Sequence, residues 1–204
     1  MTTIRLLLTD DQALVRGALA ALLDLESDLQ VVAQVGRGDE VLAAARDNAV
    51  DVALLDVEMP GLDGIAVAAE LHRALPSCRS LIVTTFGRPG YLRRALDAGA
   101  SGFVVKDTPA EQLADAVRRV HRGLRVVDPD LAVESLATGT SPLTDRERDV
   151  LTAAAEGGTV ADIARATFLS EGTVRNYLSA AMGKTGGRTR AEAVRIAQEN
   201  GWLL

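Results

Sequence analysis

Three acidic side chains and one lysine stand at the ends of short apolar runs that are far apart in the chain. Asp10 and Asp11 follow the first run, Asp56 follows the second, and Lys106 ends the third. Such runs between helix-like segments are typical of buried parallel strands, whose carboxyl ends meet at the edge where open α/β sheets place their sites. Three carboxylates and an ammonium are unfavourable there unless a divalent cation or a phosphoryl group binds among them. The sequence therefore predicts a pocket for metal-ion and phosphoryl chemistry.

The first part of the chain alternates strand-like and helix-like segments. Strands are predicted at 4–9, 29–35, 52–56, 81–84 and 102–105, and helices near 13–25, 38–48, 64–75, 89–98 and 109–122. Five βα repeats predict an α/β fold with a five-stranded parallel (βα)5 sheet covered by helices on both faces, of the flavodoxin-like kind.

The pattern changes after Arg122, where Asp-Pro, Gly-Thr and Ser-Pro pairs mark a linker. We predict a first domain over residues 1–122, a linker over 123–142 and a second, all-α domain over 143–204. A chain of 204 residues that is 48% hydrophobic can bury one large core and a second, smaller one.

Composition narrows the class of protein. No apolar stretch approaches the roughly 18 residues that span a bilayer, and the first residues lack the basic segment of a signal peptide, so a cytoplasmic protein without membrane insertion is expected. The single cysteine, Cys78, excludes an internal disulfide and a zinc site built from cysteines.

The net charge of −6 is distributed unevenly. Residues 1–141 carry 14 basic and 20 acidic side chains, whereas residues 142–204 carry 8 of each. Within the second part, the segment 171–190 has a local charge of +3, which fits either contact with a phosphate backbone or a solvated helix face.

Residues 1 to about 122 resemble a known family. The strings LLLTDDQALVRGAL, LLDVEMPGLDG, IVTTF and AGASGFVVKD occur in the order and spacing of the receiver domain of bacterial response regulators. The resemblance implies that Asp56 is the phosphoacceptor, which takes a phosphoryl group from a sensor histidine kinase. It further implies a Mg²⁺ site formed by Asp10, Asp11, Asp56 and the backbone carbonyl of Glu58.

The same resemblance implies how phosphorylation is read out. Lys106 would pair with an acid at rest and with a phosphoryl oxygen afterwards, and the Thr84 hydroxyl would bind another phosphoryl oxygen. Phe103, where a tyrosine is often found, would follow Thr84 inward. This coupling would shift an equilibrium between two arrangements of one face of the domain.

The second domain has a helix-turn-helix pattern. LTDRERDVL opens a helix with Thr144 as its N-cap and Glu147 at the capping-box position, and Ser170 caps a later helix that begins at Glu171. Residues 143–203 resemble the DNA-binding domain of the NarL/LuxR (FixJ) class. The RNY triplet and the GW near the end resemble the subgroup that regulates membrane-lipid desaturation.

Helical spacing over 171–184 separates an inward face from an outward face. Arg175, Asn176 and Ser179 share the outward face and occupy the family's base-reading positions; arginine suits guanine and asparagine suits adenine. The remaining members of the DNA-binding set implied by the resemblance are Ser170, Thr173, Lys184 and Arg190. Of these four, Thr173, Lys184 and Arg190 would contact phosphates.

The implied partners are a sensor histidine kinase, double-stranded promoter DNA and a second copy of the chain, since one such domain makes few contacts. The last helix, near 189–199, resembles the family's dimer helix, with Val194 and Ala197 as contacts; packing in the small core is the alternative. Two other functions stay open from sequence: a regulator that acts without phosphorylation, and an aspartyl-phosphate phosphatase, which the DNA-binding half disfavours.

Overall fold

A computed structural model of the chain describes residues 3–85, 89–129, 131–133 and 141–203. The chain divides into two compact units, with the main boundary after Val133. Part of the predicted linker, residue 130 and residues 134–140, lies outside the described residues.

The first unit is built on a parallel sheet. Its strands are β1 (Ile4–Thr9), β2 (Leu29–Val35), β3 (Val52–Leu55), β4 (Arg79–Thr84), β5 (Gly102–Val105) and β6 (Val126–Val127). They run in the order β2-β1-β3-β4-β5-β6, and each neighbouring pair is parallel. The parallel α/β class that we predicted is therefore confirmed.

The predicted number of five strands is wrong, because β6 extends the sheet within the described residues. Val126 and Val127 align with Gly102 and Phe103 of β5, and the Val126 amide donates to the Ser101 carbonyl at 3.1 Å. This pairing covers backbone groups that would otherwise be exposed on the β5 edge. Two residues are too few to show a periodicity, which is why the sequence pattern assigns this segment to the linker.

Helices cover both faces of this sheet. They are α1 (Ala13–Leu23), α2 (Val41–Asp47, after a 3₁₀ turn at Gly38–Glu40), α3 (Gly64–Ala74), α4 (Pro89–Asp97) and α5 (Ala110–His121). Buried residues of α1 and α5 pack with Leu6 and Leu8 on one face, while those of α2, α3 and α4 pack with Leu7 on the other. Alternate residues along the strands thus pack into two different cores, as expected of a parallel sheet that is buried on both faces.

The start of α3 lies directly against the end of β3. Asp63 is the N-cap, and its carboxylate accepts from the amides of Ile65 and Ala66. A Cβ at Gly64 would lie 2.0 Å from the backbone oxygen of Asp56, so only glycine permits this approach. The Asp56 backbone is therefore held by a packed helix end.

The second unit is helical, with α6 (Asp145–Ala155), α7 (Val160–Thr167), α8 (Glu171–Thr185) and α9 (Arg190–Glu199). The predicted capping box of Thr144 and Glu147 is confirmed, and Ser170 caps α8 as predicted. Val150, Leu151, Ile163 and Val174 are among the residues that form one shared core. A short turn, 168–170, joins α7 to α8 in the helix-turn-helix arrangement. Across the described residues of both units, no helix is long and apolar enough to cross a bilayer.

Candidate functional site

Strand register brings the predicted acidic residues together. Thr9 of β1 pairs with Leu55 of β3, so Asp10 and Asp56 follow side by side. One carboxylate oxygen from each of Asp10, Asp11 and Asp56 lies within 4.8 Å of the others. Asp10 and Asp56 are buried and Asp11 is exposed, so the group opens to solvent on one side.

Lys106 reaches the same group from the end of β5, which is separated from β3 by β4. Its amide donates to the Thr84 carbonyl at 2.8 Å, which places it immediately after β5. Its Nζ lies 2.8 Å from Asp56 Oδ2 and 2.7 Å from Asp10 Oδ2, and only 11% of the lysine side chain is exposed. One ammonium thus bridges two buried carboxylates.

Burial shapes the protonation of this cluster. Burial raises the pKa of the Asp56 carboxyl, and the Asp10 carboxylate adds to the rise, while the hydrogen bond from Lys106 opposes it. Burial also acts to lower the pKa of the Lys106 ammonium, but its contacts with Asp10 and Asp56 outweigh burial, and the net pKa is raised. The lysine therefore stays charged and compensates part of the acidic charge.

The predicted switch residues and Glu58 have different environments. Thr84 is 2% exposed at the end of β4, and Phe103 in β5 is fully buried in the core between the sheet and α2, α3 and α4. Glu58 is exposed in the loop between β3 and α3. The structure thus places Thr84 and Lys106 at adjacent strand ends, with Phe103 packed beneath them in the same sheet.

On α8, the predicted base-reading side chains face outward. Arg175, Asn176 and Ser179 are exposed, whereas Val174 and Leu178 are buried in the core. Arg175 Nη2 forms an ion pair of 2.6 Å with Glu171 Oε2, one helical turn earlier. Glu171 lies outside the set of residues predicted to bind DNA, although its i, i+4 spacing from Arg175 is a recognisable signal.

The other predicted DNA-binding residues have partners within their own unit. Ser170 Oγ accepts from the Thr173 amide at 3.1 Å and lies 2.8 Å from the Thr173 hydroxyl. Lys184 Nζ lies 2.6 Å from Glu147 Oε2, and Arg190 donates to the Gly158 carbonyl at 2.9 Å. To contact a phosphate, Lys184 or Arg190 would have to leave its present partner or bind both groups at once.

The last helix does not present both residues that sequence suggested as dimer contacts. Ala197 is fully buried in the core of the second unit, and Val194 packs partly against that core. For Ala197, the alternative that the sequence left open, packing in the small core, is therefore the one observed.

Family comparison identifies both units. The response regulator receiver domain family matches residues 6–118, and the luxR family of bacterial regulatory proteins matches residues 141–197. The chain therefore belongs to the response regulators that carry a receiver domain and a LuxR-type DNA-binding domain. It is a DNA-binding transcription regulator of a two-component system, and its family is not one of enzymes.

Individual relatives cover nearly the whole chain. Transcriptional regulatory protein YvfU of Bacillus subtilis (strain 168) is 44% identical over 98% of this chain and 100% of its own. Transcriptional regulatory protein DesR of the same organism is 40% identical over 98% of this chain and 99% of its own. Among solved structures, the response regulator ChrA of a heme-sensing two-component system is 31% identical, with a TM-score of 0.61 over 98% of both chains.

Proposed function

We propose that Asp56 accepts a phosphoryl group from a sensor histidine kinase and that this modification drives a second copy of the chain and promoter DNA to bind. The observation that carries the proposal is the buried bridge of Lys106 between Asp10 and Asp56, beside a third carboxylate. Buried charges carry a desolvation penalty, and groups of them are typical of functional sites that bind an ion or a charged group.

The pocket is suited to a divalent cation. Asp10 Oδ2 and Asp56 Oδ2 are both buried and both face the Lys106 ammonium, at 2.7 and 2.8 Å, so these oxygens already face a cation. Carboxylate and carbonyl oxygens are the ligands that Mg²⁺ prefers. We assign the site to Asp10, Asp11, Asp56 and the backbone carbonyl of Glu58. Bound Mg²⁺ would offset the charge of the carboxylates and of the transferring phosphoryl group.

Asp56 is the nucleophile in this proposal. A carboxylate oxygen attacks the phosphorus of a phosphohistidine, the new O–P bond forms as the P–N bond breaks, and the electron pair returns to the imidazole nitrogen of the kinase. Lys106 then exchanges its contact with the Asp56 carboxylate for one with a phosphoryl oxygen.

Thr84 and Phe103 transmit the change. The phosphoryl group adds roughly −1.5 to −2 of charge and three strong acceptor oxygens. The Thr84 hydroxyl, at the end of β4, can donate to one of these oxygens. Phe103 lies in the adjacent strand, β5, and its side chain is fully buried. Movement of Thr84 would thus repack that core and shift the receiver towards its dimerising state.

The second unit supplies the DNA contacts. Arg175, Asn176 and Ser179 project from α8, where they can reach base edges in the major groove. Thr173 and Lys184 of the same helix, its N-cap Ser170, and Arg190 of α9 complete the proposed set. Two such units on paired half-sites would give useful affinity, so dimerisation on phosphorylation is the expected route to promoter binding.

A DNA-binding titration tests the proposal. DNA selected by the acetyl-phosphate-treated protein is titrated at a stated salt concentration with treated and untreated protein, and the oligomeric state is measured by light scattering. We expect phosphorylation to raise affinity by about 5- to 150-fold, the usual range of coupling between two sites, and to favour the dimer. Asp56→Asn should show neither response. Equal binding and equal mass in both chemical states would refute the proposal.

A further inference from the structure

Arg16 of α1 reaches back to the loop that carries two of the proposed metal ligands. Its amide donates to the Gln12 carbonyl at 3.0 Å, as part of the first turn of the helix. Its guanidinium donates through Nη1 to the backbone carbonyl of Asp10. Helical side chains lean towards the helix N-terminus, so a long side chain here naturally covers the loop between β1 and α1.

Among the described residues, this hydrogen bond acts on Asp10 together with two others and with the ion pair to Lys106. The Asp10 amide donates to the Val35 carbonyl at 3.3 Å, and Asp10 Oδ1 accepts from the Gln12 amide at 2.9 Å. Gln12, at the N-cap position of α1, makes no side-chain cap hydrogen bond of its own. The carbonyl side of the Asp10 peptide, which leads to Asp11, is therefore held by Arg16.

The chain leaves space for this guanidinium. Gly36 follows β2, and a Cβ there would lie 3.3 Å from Arg16 Nη1 and 3.8 Å from the Asp10 backbone oxygen. A side chain at position 36 would therefore crowd the arginine against the loop. A glycine and an arginine from two different elements thus meet at one peptide group.

Charge alone would make Arg16 harmful to a cation site. A guanidinium beside the loop repels a divalent cation, and its removal should then strengthen metal binding. A hydrogen bond that orients the ligands has the opposite effect, because partners that fix metal ligands raise affinity. The two roles therefore predict opposite signs for the same substitution.

We propose that Arg16 is a positioning residue for the divalent-cation site: it holds the Asp10 peptide so that the carboxylates of Asp10 and Asp11 are presented together. The inference rests on the proposed Mg²⁺ site and adds a residue that does not touch the ion. It also assigns a role to an arginine that lies outside the acidic cluster.

Calorimetric titration of the full chain with Mg²⁺, without phosphodonor, tests this role. Arg16→Ala should bind Mg²⁺ about tenfold more weakly, at the lower end of the effect of removing a hydrogen-bond partner of a metal ligand. Arg16→Lys, which keeps a donor, should lie between Arg16→Ala and the wild type. Arg37→Ala is the matched control, because Arg37 is half exposed and pairs with Asp39; it should bind Mg²⁺ at least as tightly as the wild type.

A second readout separates positioning from general damage. The initial rate of labelling by acetyl phosphate is measured against Mg²⁺ concentration; Arg16→Ala should be slow at low Mg²⁺ and approach the wild-type rate at saturation. If Arg16→Ala does not fold, Arg16→Gln takes its place in the same measurement. Its side chain is too short to reach the carbonyl, so it should also be labelled slowly at low Mg²⁺ and approach the wild-type rate at saturation. Mg²⁺ affinity in Arg16→Ala equal to or above that of the wild type would overturn the role of Arg16 alone, whereas a wild-type chain that binds no Mg²⁺ would overturn the metal site as well.

Discussion

The receiver pocket, formed by Asp10, Asp11, Asp56 and Lys106, and the proposed recognition helix, α8, use charged side chains in opposite settings. In the pocket, the side chains of Asp10, Asp56 and Lys106 are at most 11% exposed and come from three separate strand ends. On α8, Glu171 and Arg175 are 50% and 61% exposed and lie one helical turn apart. Buried charges interact strongly and exposed pairs weakly, since water screens the latter.

This difference suits the two tasks. In the proposed function, a phosphoryl charge in the pocket is poorly screened, so it would move Thr84 and Lys106 and alter the packing of a whole face. An exposed pair such as Glu171 and Arg175 costs little to separate, so Arg175 can exchange its partner for a base edge.

Loss of the lysine should have the largest effect on stability. Lys106→Met leaves Asp10 and Asp56 buried without a cation, and we expect the free energy of unfolding of the first unit to fall by about 3 kcal/mol at pH 7. Urea unfolding followed by circular dichroism measures it, while fluorescence of Trp202, the one tryptophan of the chain, reports the second unit separately. Arg119→Met is the control, because its contact with Asp115 is exposed and 4.0 Å long; an equal loss there would contradict the contrast.

In the second unit, one buried acid is an exception to the exposed pattern. Glu147 Oε2 accepts from the Thr144 amide at 2.7 Å and lies 2.6 Å from Lys184 Nζ, and the glutamate side chain is 7% exposed. Glu147→Gln should lower the free energy of unfolding of this unit by about 2 kcal/mol, through a weakened cap and a lost ion pair. Trp202 fluorescence in urea measures the change, with exposed Glu156→Gln expected to be neutral.

The same glutamate should give the second unit an acid dependence. Burial acts to raise the pKa of Glu147, but its contacts with Lys184 and Thr144 outweigh burial and lower the pKa below 4.5. A carboxyl with a lower pKa in the folded state stabilises the fold above its unfolded value, and this contribution is lost as the pH falls through the folded value. Below about pH 4.5, Glu147→Gln should therefore flatten the fall in stability; an unchanged slope would show that Glu147 is not the source.

On the recognition helix, the expected effects concern specificity. Arg175→Ala should reduce the preference for selected over random DNA by about 1 to 2 kcal/mol, since it removes one base contact. Lys184→Ala should weaken binding to both DNAs alike and flatten the salt dependence, and it should also lower stability because Glu147 loses its partner. Fluorescence anisotropy at several salt concentrations measures both variants. Equal losses on both DNAs for Arg175→Ala would contradict base reading.

The smallest effect is expected in the turn before α8. Phe168 has a left-handed backbone, with φ of +57°, and is 95% exposed. Phe168→Asn should stabilise the second unit by about 0.5 to 1 kcal/mol, because asparagine tolerates this conformation better than a bulky residue. Thermal unfolding followed by Trp202 measures it. A destabilised variant would indicate that the aromatic ring contributes packing.

Much of the fold could be predicted from local pattern. Apolar runs bounded by helix-like segments predicted the first five strands and the parallel α/β class, and the residues Thr144 and Ser170 predicted where α6 and α8 begin. Val126 and Val127 could not be predicted, because a two-residue strand is defined by its neighbour's open edge. The sequence left Ala197 open between a dimer surface and the small core for a related reason, since helical spacing alone does not say which neighbour a small side chain faces.

The residue types at the strand ends were enough to predict an acidic pocket with one lysine, because parallel strands must bring their carboxyl ends to one edge. Sequence likewise determined the outward position of Arg175, which follows from helix geometry. Only the tertiary structure decided that Lys106 bridges Asp10 and Asp56, that Arg16 holds the Asp10 peptide, and that Lys184 pairs with Glu147. Those contacts join residues from different elements, and their geometry depends on how whole strands and helices pack, which no local spacing encodes.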